Sequence, residues 1–350
     1  MDRHIVHALF FKKIIKNTMA IKKKEFDYIS KFSSKTKYKD ENFYYCGEAF
    51  NNACGLPGPV MGGINMFLGH TNSSKTTAMI LAAVDAQKKG HLPVLIITER
   101  KWKWEHAIEL GFQAEKDSNG EWTGDFIFND SFDYIEQATD FINDIIDAHE
   151  KGEIPRHILF CWDSIGSIPC KMTFDGKGGK QHNASVLSDK IGMGIHSRIT
   201  KSKKEDYPSK DSSYFLTMVV VNQPWVELPD NPMGQPEIKP KGGEALKLAS
   251  SLIFLFGNQK KSGINHIDAT KDGRKVVYAV RTKISILKNH VNGLGYKDGK
   301  VIVVHNGYIA DTKEALEGYK KEYSSFWRDK LGSTDFDLAE STTFDYEEED

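Results

Sequence analysis

The sequence predicts an α/β fold with a mostly parallel, twisted central sheet flanked by helices, and three observations carry that expectation. First, the stretch 63–77 (Gly-Ile-Asn-Met-Phe-Leu-Gly-His-Thr-Asn-Ser-Ser-Lys-Thr-Thr) runs from an apolar strand through a tight loop into a helix. Second, Pro93–Thr98, His157–Asp163 and Phe215–Asn222 are short apolar runs that give way to polar groups, the pattern of buried parallel strands. Third, helical spacing falls between them, at Thr77–Lys89 and at Ser131–Glu150, where Ile135, Ala138, Phe141, Ile142, Ile145 and Ile146 share one face. Strands alternating with helices imply a parallel sheet with crossovers.

The bulk numbers bound the class. At 350 residues the chain exceeds one typical domain, and a single large α/β domain with appendages fits it. A hydrophobic content of 39% and a mean hydropathy of −0.47 suit a soluble globular protein with polar loops or tails. The best apolar run, Leu252–Phe256, is far short of the roughly 18 residues that span a bilayer, so no membrane association is expected. The first 20 residues are basic and amphipathic without a signal peptide's apolar core, a mitochondrial-type presequence being the alternative. Cys46, Cys54, Cys161 and Cys170 form no Cys-x-x-Cys pair, which predicts buried free thiols and a reducing, cytoplasmic compartment.

The net charge of −1 hides a polarity. Residues 1–45 carry eleven Lys/Arg against five Asp/Glu, and residues 335–350 carry eight acids and no base. A basic head and an acidic tail on a neutral body point to a nucleic-acid partner that the tail modulates, or else to two solvated ends.

Taken in order, Ile5, Val6, Leu9, Phe10, Ile14 and Ile15 fall near helical spacing among Lys12, Lys13 and Lys16, predicting a short N-terminal helix. Residues 20–42 read as a lysine-rich connector, and the Gly/Pro-punctuated stretch 44–63 as loops leading into the first core strand. Residues 170–184 form a glycine- and lysine-rich loop, followed by a helix at about 185–200 with Lys190, Ser197, Arg198 and Lys201 near one face. A second long loop, 224–243, carries Pro224, Trp225 and four more prolines. Loops of this length inside a compact domain are usually functional or disordered. Leu246–Phe256 returns to apolar structure, Val276–Lys288 and Val301–Val304 read as strands, and Tyr319–Leu331 closes the folded part. The organisation expected is 1–43 as N-terminal helix and basic linker serving oligomerisation, 44–332 as the core, and 333–350 as an acidic disordered tail.

Gly69 and Ser74-Lys75-Thr76 sit at the spacing of a phosphate-binding loop, G-x-x-x-x-G-K-[ST], except that Ser74 stands at the second glycine. Backbone N–H groups from Asn72 to Thr76 can converge on a polyphosphate at the positive end of a helix, with Lys75 on the outer phosphates and the Thr76 hydroxyl on Mg²⁺. If Ser74 is left-handed it costs about 1–2 kcal/mol, which a held nucleotide can offset. Glu99 and Asp163 at two strand ends add a carboxylate pair. A strand-terminal Asp downstream of such a loop is the arrangement that holds the Mg²⁺ shell. A Gly/Ser turn with a chance lysine and two ordinary strand-to-loop acids is the bland alternative.

Together these residues resemble the RecA family of DNA strand-exchange proteins, in particular its phage UvsX-like branch. The resemblance runs through Gly55-Leu-Pro-Gly, Gly63 and Gly69–Thr77, then Thr98-Glu99, Trp162-Asp163-Ser164, Asn222-Gln223, Gly242-Gly243-Glu-Ala-Leu-Lys247 and Lys288-Asn289-His290, in order from residue 44 to about 305. It implies a RecA-like P-loop ATPase core using ATP and Mg²⁺. Gly69, His70, Thr71, Asn72, Ser73, Ser74, Lys75, Thr76 and Thr77 would hold the nucleotide, with Thr76 and Asp163 on the metal. Glu99 would be the general base and Gln223 would sense the γ-phosphate. Lys288 and His290 would complete a neighbour's site. Lys177, Lys180, Arg198, Trp225, Gly242 and Gly243 would contact DNA. The implied partners are single-stranded DNA, homologous duplex DNA, further copies in a helical filament, and single-strand-binding and loader proteins, in the host cytoplasm for a phage-encoded chain. His290 stands in place of a lysine and Pro224-Trp225 in place of an aliphatic–arginine pair. Residues 100–104 do not match the family's adenine contacts. Two other readings are a hexameric RecA-fold helicase and a nucleotide-gated DNA-binding polymer without strong turnover.

Overall fold

The computed structural model describes Lys31 and residues 36–179, 181–227, 237–257, 265–271 and 274–331. Residues 39–350 make one compact unit, and residues 1–38 are a separate unit. The expected N-terminal helix and acidic tail, and Lys180, lie outside the described residues.

The stretch 44–63, expected to be loop, contains a helix, α1 (Glu48–Cys54). Its glycines bound the helix rather than break it: Gly47 precedes it and Gly55, at φ 78°, closes it with an N–H bond to the Asn51 carbonyl. β1 (Ile64–Gly69) follows, with all six residues buried. Next come α2 (Lys75–Lys88), β2 (Leu92–Ile97), α3 (Trp104–Glu109), a small hairpin β3 (Glu115–Lys116) and β4 (Trp122–Thr123), and β5 (Ile127–Asn129). α4 (Ile135–Glu150) buries Ile135, Ala138, Ile142, Ile145 and Ile146 on one stripe, as its spacing requires. Its first turn is capped by the Gln137 side chain, which accepts the Asp133 N–H at 2.8 Å.

β6 (Ile158–Asp163) leads to the expected glycine-rich loop, where α5 (Lys171–Phe174) forms and the next helix already begins at Gln181. A continuous helical run then spans α6 (Gln181–Leu187), a π-helical segment (Ser188–Ile195) and α7 (His196–Lys201). After a hairpin β7 (Pro208–Ser209) and β8 (Ser212–Ser213) comes β9 (Leu216–Asn222). The second long loop is not structureless: β10 (Pro224–Glu227) pairs antiparallel with β11 (Glu237–Pro240), Val226 opposite Ile238. Pro224 and Pro240 stand opposite each other in its outermost pair, where missing N–H groups interrupt the ladder least. α8 (Gly243–Ala249), β12 (Ser250–Phe256), β13 (Asn265–Lys271), β14 (Arg274–Asn289), β15 (Gly299–Val304), β16 (Gly307–Ala310) and α9 (Lys313–Leu331) complete the order.

The main sheet has ten strands among the described residues, in the order β16-β15-β14-β12-β1-β9-β6-β2-β5 with β13 on β14. β12, β1, β9, β6, β2 and β5 run parallel, and β13 to β16 form an antiparallel wing. Parallel strands bury both faces, and β1 shows it. Phe67 packs into one core with α1 and α2, and Met66 and Leu68 into another with α4 and the long helical run. A third core, with Tyr278, Ile302, Leu316, Tyr319 and Trp327, joins the wing to α9. All four cysteines are free and buried. Among the described residues no helix is long and apolar enough to cross a membrane.

Candidate functional site

Parallel strands deliver their carboxyl ends to one edge of the sheet, and here four of them open onto one cavity of about 370 Å³. β1 leads into the loop 70–74, β2 into Glu99, β6 ends at Asp163 and β9 is followed by Gln223. Thr71 to Thr77, Glu99, Asp163 and Gln223 all line the cavity.

The loop is tight for steric reasons. A Cβ on Gly69 would lie 2.6 Å from the Phe256 carbonyl oxygen of β12 and 2.6 Å from the Ser73 hydroxyl, so a side chain there would push the loop off the sheet. Asn72 and Ser74 both take positive φ, 62° and 69°. Ser74, the residue at the glycine position, is held by Tyr308 of β16, whose hydroxyl donates to the Ser74 carbonyl at 2.9 Å. The carbonyl also accepts the Ala78 N–H of α2 at 3.1 Å. The chain thus spends side-chain contacts to keep a serine where glycine is easier.

Lys75 is buried, with its ammonium donating to the His70 carbonyl at 2.6 Å and approaching the Ser73 hydroxyl at 3.4 Å. Desolvation lowers its pKa to about 8, against the attraction of Asp163 and Glu99. The Thr76 hydroxyl donates to Asp163 Oδ2 at 2.6 Å. Burial pushes the Asp163 carboxyl up to about 6; the Thr76 bond opposes this and the Glu99 charge adds to it. Glu99 Oε1 accepts the Ser164 hydroxyl, and Lys101 lies 3.6 Å from Glu99 Oε2. A desolvated cation beside two carboxylates and a hydroxyl, at the start of a 14-residue helix, can bind an anion and a hard divalent cation together.

Several lining residues escaped the sequence reading. Trp102, Lys103 and His106 reach the cavity because the chain turns back after Glu99 into α3. The indole N–H of Trp102 is buried with no hydrogen-bond partner among the described residues. Trp102 also packs against Trp104, Phe112 and Phe128. The signal was the position of Trp102, three residues past a strand-terminal glutamate. Val280 and Val303 of the wing line the cavity too. Their long sequence separation from Lys75 hid them.

The remaining expected residues lie elsewhere. Lys288 Nζ donates to the Lys247 and Leu248 carbonyls at 2.8 and 2.7 Å, at the end of α8, and His290 is exposed with its N–H on Ser251. Register sets Lys288 opposite Ile253 at the middle of β12, and His290 beyond it against Ser251, near the strand's start and away from the loop edge. Neither lines the cavity of its own chain. Lys177 is exposed in the loop after α5. Gly242 and Gly243 take φ 97° and 79° at the start of α8, with Gly242 buried. Trp225 lies on β10, paired in register with Lys239. Arg198 stands apart from the expected set: its guanidinium is spanned by Asp147 at 2.5 Å and Glu150 at 3.0 Å, so the structure engages it with α4.

No protein-family model matches the chain. Among curated proteins, the RecA of Corynebacterium urealyticum is 27% identical over 244 residues, 70% of this chain and 56% of that protein. The RecA of Syntrophobacter fumaroxidans is 25% identical over 240 residues (68% and 59%), and that of Streptococcus gordonii 24% over 270 residues (77% and 61%). The chain therefore spans less than two thirds of the length of these relatives. The mixed α/β architecture with a mostly parallel sheet flanked by helices is that of a RecA-like core, and about a quarter of the aligned residues are shared with proteins named RecA.

Proposed function

We propose that the chain is an ATP-dependent DNA recombinase of the RecA kind, nearest the phage UvsX-like branch, that assembles as helical filaments on single-stranded DNA and pairs it with homologous duplex. One observation carries the reading: Lys75, Thr76, Glu99, Asp163 and Gln223, from a phosphate-type loop and three further strand ends, line a single cavity. The similarity to RecA proteins supports it.

Bound Mg·ATP supplies the phosphoryl group to be cleaved and a cation that offsets its charge. Lys75 and the backbone N–H groups of Asn72 to Thr76 hold the phosphates, and Thr76 and Asp163 offer oxygens to the metal. Glu99 accepts a proton from the attacking water. Gln223 contacts the γ-phosphate side and passes its presence to the 224–243 segment, a loop switched by phosphate. That segment, Lys177 and Lys180, and the close backbone approach at Gly242 and Gly243, grip the strand. Lys288 and His290 act in a neighbouring copy's site, and residues 1–43 make the head-to-tail contact that does not close.

The test is ATP hydrolysis with and without single-stranded DNA, together with strand exchange between homologous DNAs and negative-stain imaging. Turnover stimulated by single-stranded DNA, exchange products and filaments are the expected results. Rings that unwind duplex would indicate a helicase, and ATP binding without stimulated turnover a DNA-binding polymer.

A further inference from the structure

Lys241 stands one residue before the paired glycines at the start of α8 and touches the end of β9 twice. Its ammonium lies 3.3 Å from Gln223 Oε1, and its carbonyl accepts the Asn222 side-chain N–H at 2.8 Å. The Gln223 N–H in turn bonds Asn222 Oδ1 at 2.8 Å. The lysine stem runs over the turn that follows Asp163: a Cβ added at Gly166 would sit 3.3 Å from both Cβ and Cδ of Lys241. The half-buried side chain is thus routed between two strand ends of the nucleotide cavity, onto a residue that lines it.

The chemistry of this contact has a direction. A lysine ammonium only donates, so it selects the oxygen of a primary amide and turns the NH₂ limb away. Gln223 can otherwise rotate its amide by a half turn at little cost, since the terminal torsion is broad. An oxygen facing a phosphate is repelled by it, and an NH₂ facing it donates. From this geometry we propose that Lys241 is a positioning residue that fixes the amide of Gln223 with its donors toward the cavity and so sets the preference for a nucleoside triphosphate over a diphosphate. The proposal rests on the nucleotide reading given above. Because Lys241 also roots the 224–243 segment, the contact that orients Gln223 belongs physically to the segment that Gln223 is to inform, and coupling through it acts in both directions.

Calorimetric titration of the full chain with Mg·ADP and with a non-hydrolysable Mg·ATP analogue tests this in the wild type, in Lys241→Met and in Lys241→Arg. Lys241→Met is expected to weaken the analogue about tenfold, the scale of one charge-assisted hydrogen bond, and to leave ADP within about twofold. Lys241→Arg, which keeps a donor-only cation, is expected to retain the wild-type ratio of the two affinities. An unchanged ratio in Lys241→Met overturns the inference while leaving the nucleotide reading intact. Equal loss of both nucleotides overturns it too, because the lysine then acts on the fold rather than on Gln223, and so does failure of Lys241→Arg to retain the ratio. A wild-type chain that binds neither nucleotide removes the nucleotide reading and this inference together.

Discussion

Glu99 and Asp163 share a cavity but meet different partners, and the difference predicts different behaviour on substitution. Glu99 holds the Ser164 hydroxyl and faces Lys101, so its carboxylate is placed without being sealed off. Glu99→Gln keeps the shape and removes the carboxylate proposed as the base. Turnover should fall by about 10²–10⁴ while nucleotide affinity persists, checked by steady-state ATPase and equilibrium binding. Asp163 is half-buried, and desolvation raises its pKa from 3.8 to about 6. An acid whose folded pKa is raised contributes stability below the unfolded pKa and loses it as pH rises through the folded one. In the nucleotide-free chain the ionised Asp163 therefore costs stability at pH 7, by about 2–3 kcal/mol for a shift of this size. Asp163→Asn should melt higher than the wild type at pH 7 without Mg²⁺, and the two should converge toward pH 4, as read by thermal denaturation.

At the scale of elements, the phosphate-type loop is held from two sides that the chain order does not suggest. Gly69 lies against β12 and Ser74 against β16, more than 180 and 230 residues away in sequence respectively. Tyr308 packs at a tilt against Phe50 of α1 and gives its hydroxyl to Ser74, so the antiparallel wing braces the loop. Burial raises the Tyr308 pKa far above the ordinary phenol range, and the hydroxyl stays a donor throughout the working pH range. Tyr308→Phe keeps the ring and removes that bond. It should destabilise the chain by about 1 kcal/mol and weaken nucleotide binding several-fold, measured by denaturant melts and calorimetry. The hairpin of β10 and β11 shows the same principle in reverse: prolines suggested a structureless loop, yet the two that fall in the ladder, Pro224 and Pro240, share its outermost pair, where a missing N–H costs little.

For the whole molecule, the parallel strands face one edge with Lys75, Glu99, Asp163 and Gln223, while β14 returns antiparallel and carries Lys288 and His290 toward the other end of β12. If those two residues act at all on bound nucleotide, a second copy must bring them. Lys288→Ala and Glu99→Gln should each be poor ATPases alone. Mixed on single-stranded DNA, they should recover about a quarter or more of wild-type turnover, because assembly in trans pairs an intact glutamate with an intact lysine at some interfaces. No recovery in the mixture would count against a site shared between copies.

The sequence by itself determined the α/β class, the main buried strands with two of their flanking helices, and the four segments whose ends meet at the cavity. Those features are written in local periodicity and in short apolar runs, which depend on neighbours a few residues apart. The helix at Glu48–Cys54 was masked by its flanking glycines, and the β10–β11 pair by its prolines, since such residues mark boundaries and breaks alike. Only the tertiary structure decided that Trp102, Val280 and Val303 line the cavity, that Tyr308 holds its loop, that Arg198 is engaged by Asp147 and Glu150, and that Lys241 reaches Gln223. Each of these is a side-chain meeting between segments distant in sequence, set by strand register, helix packing and chain crossing, and no local pattern encodes it.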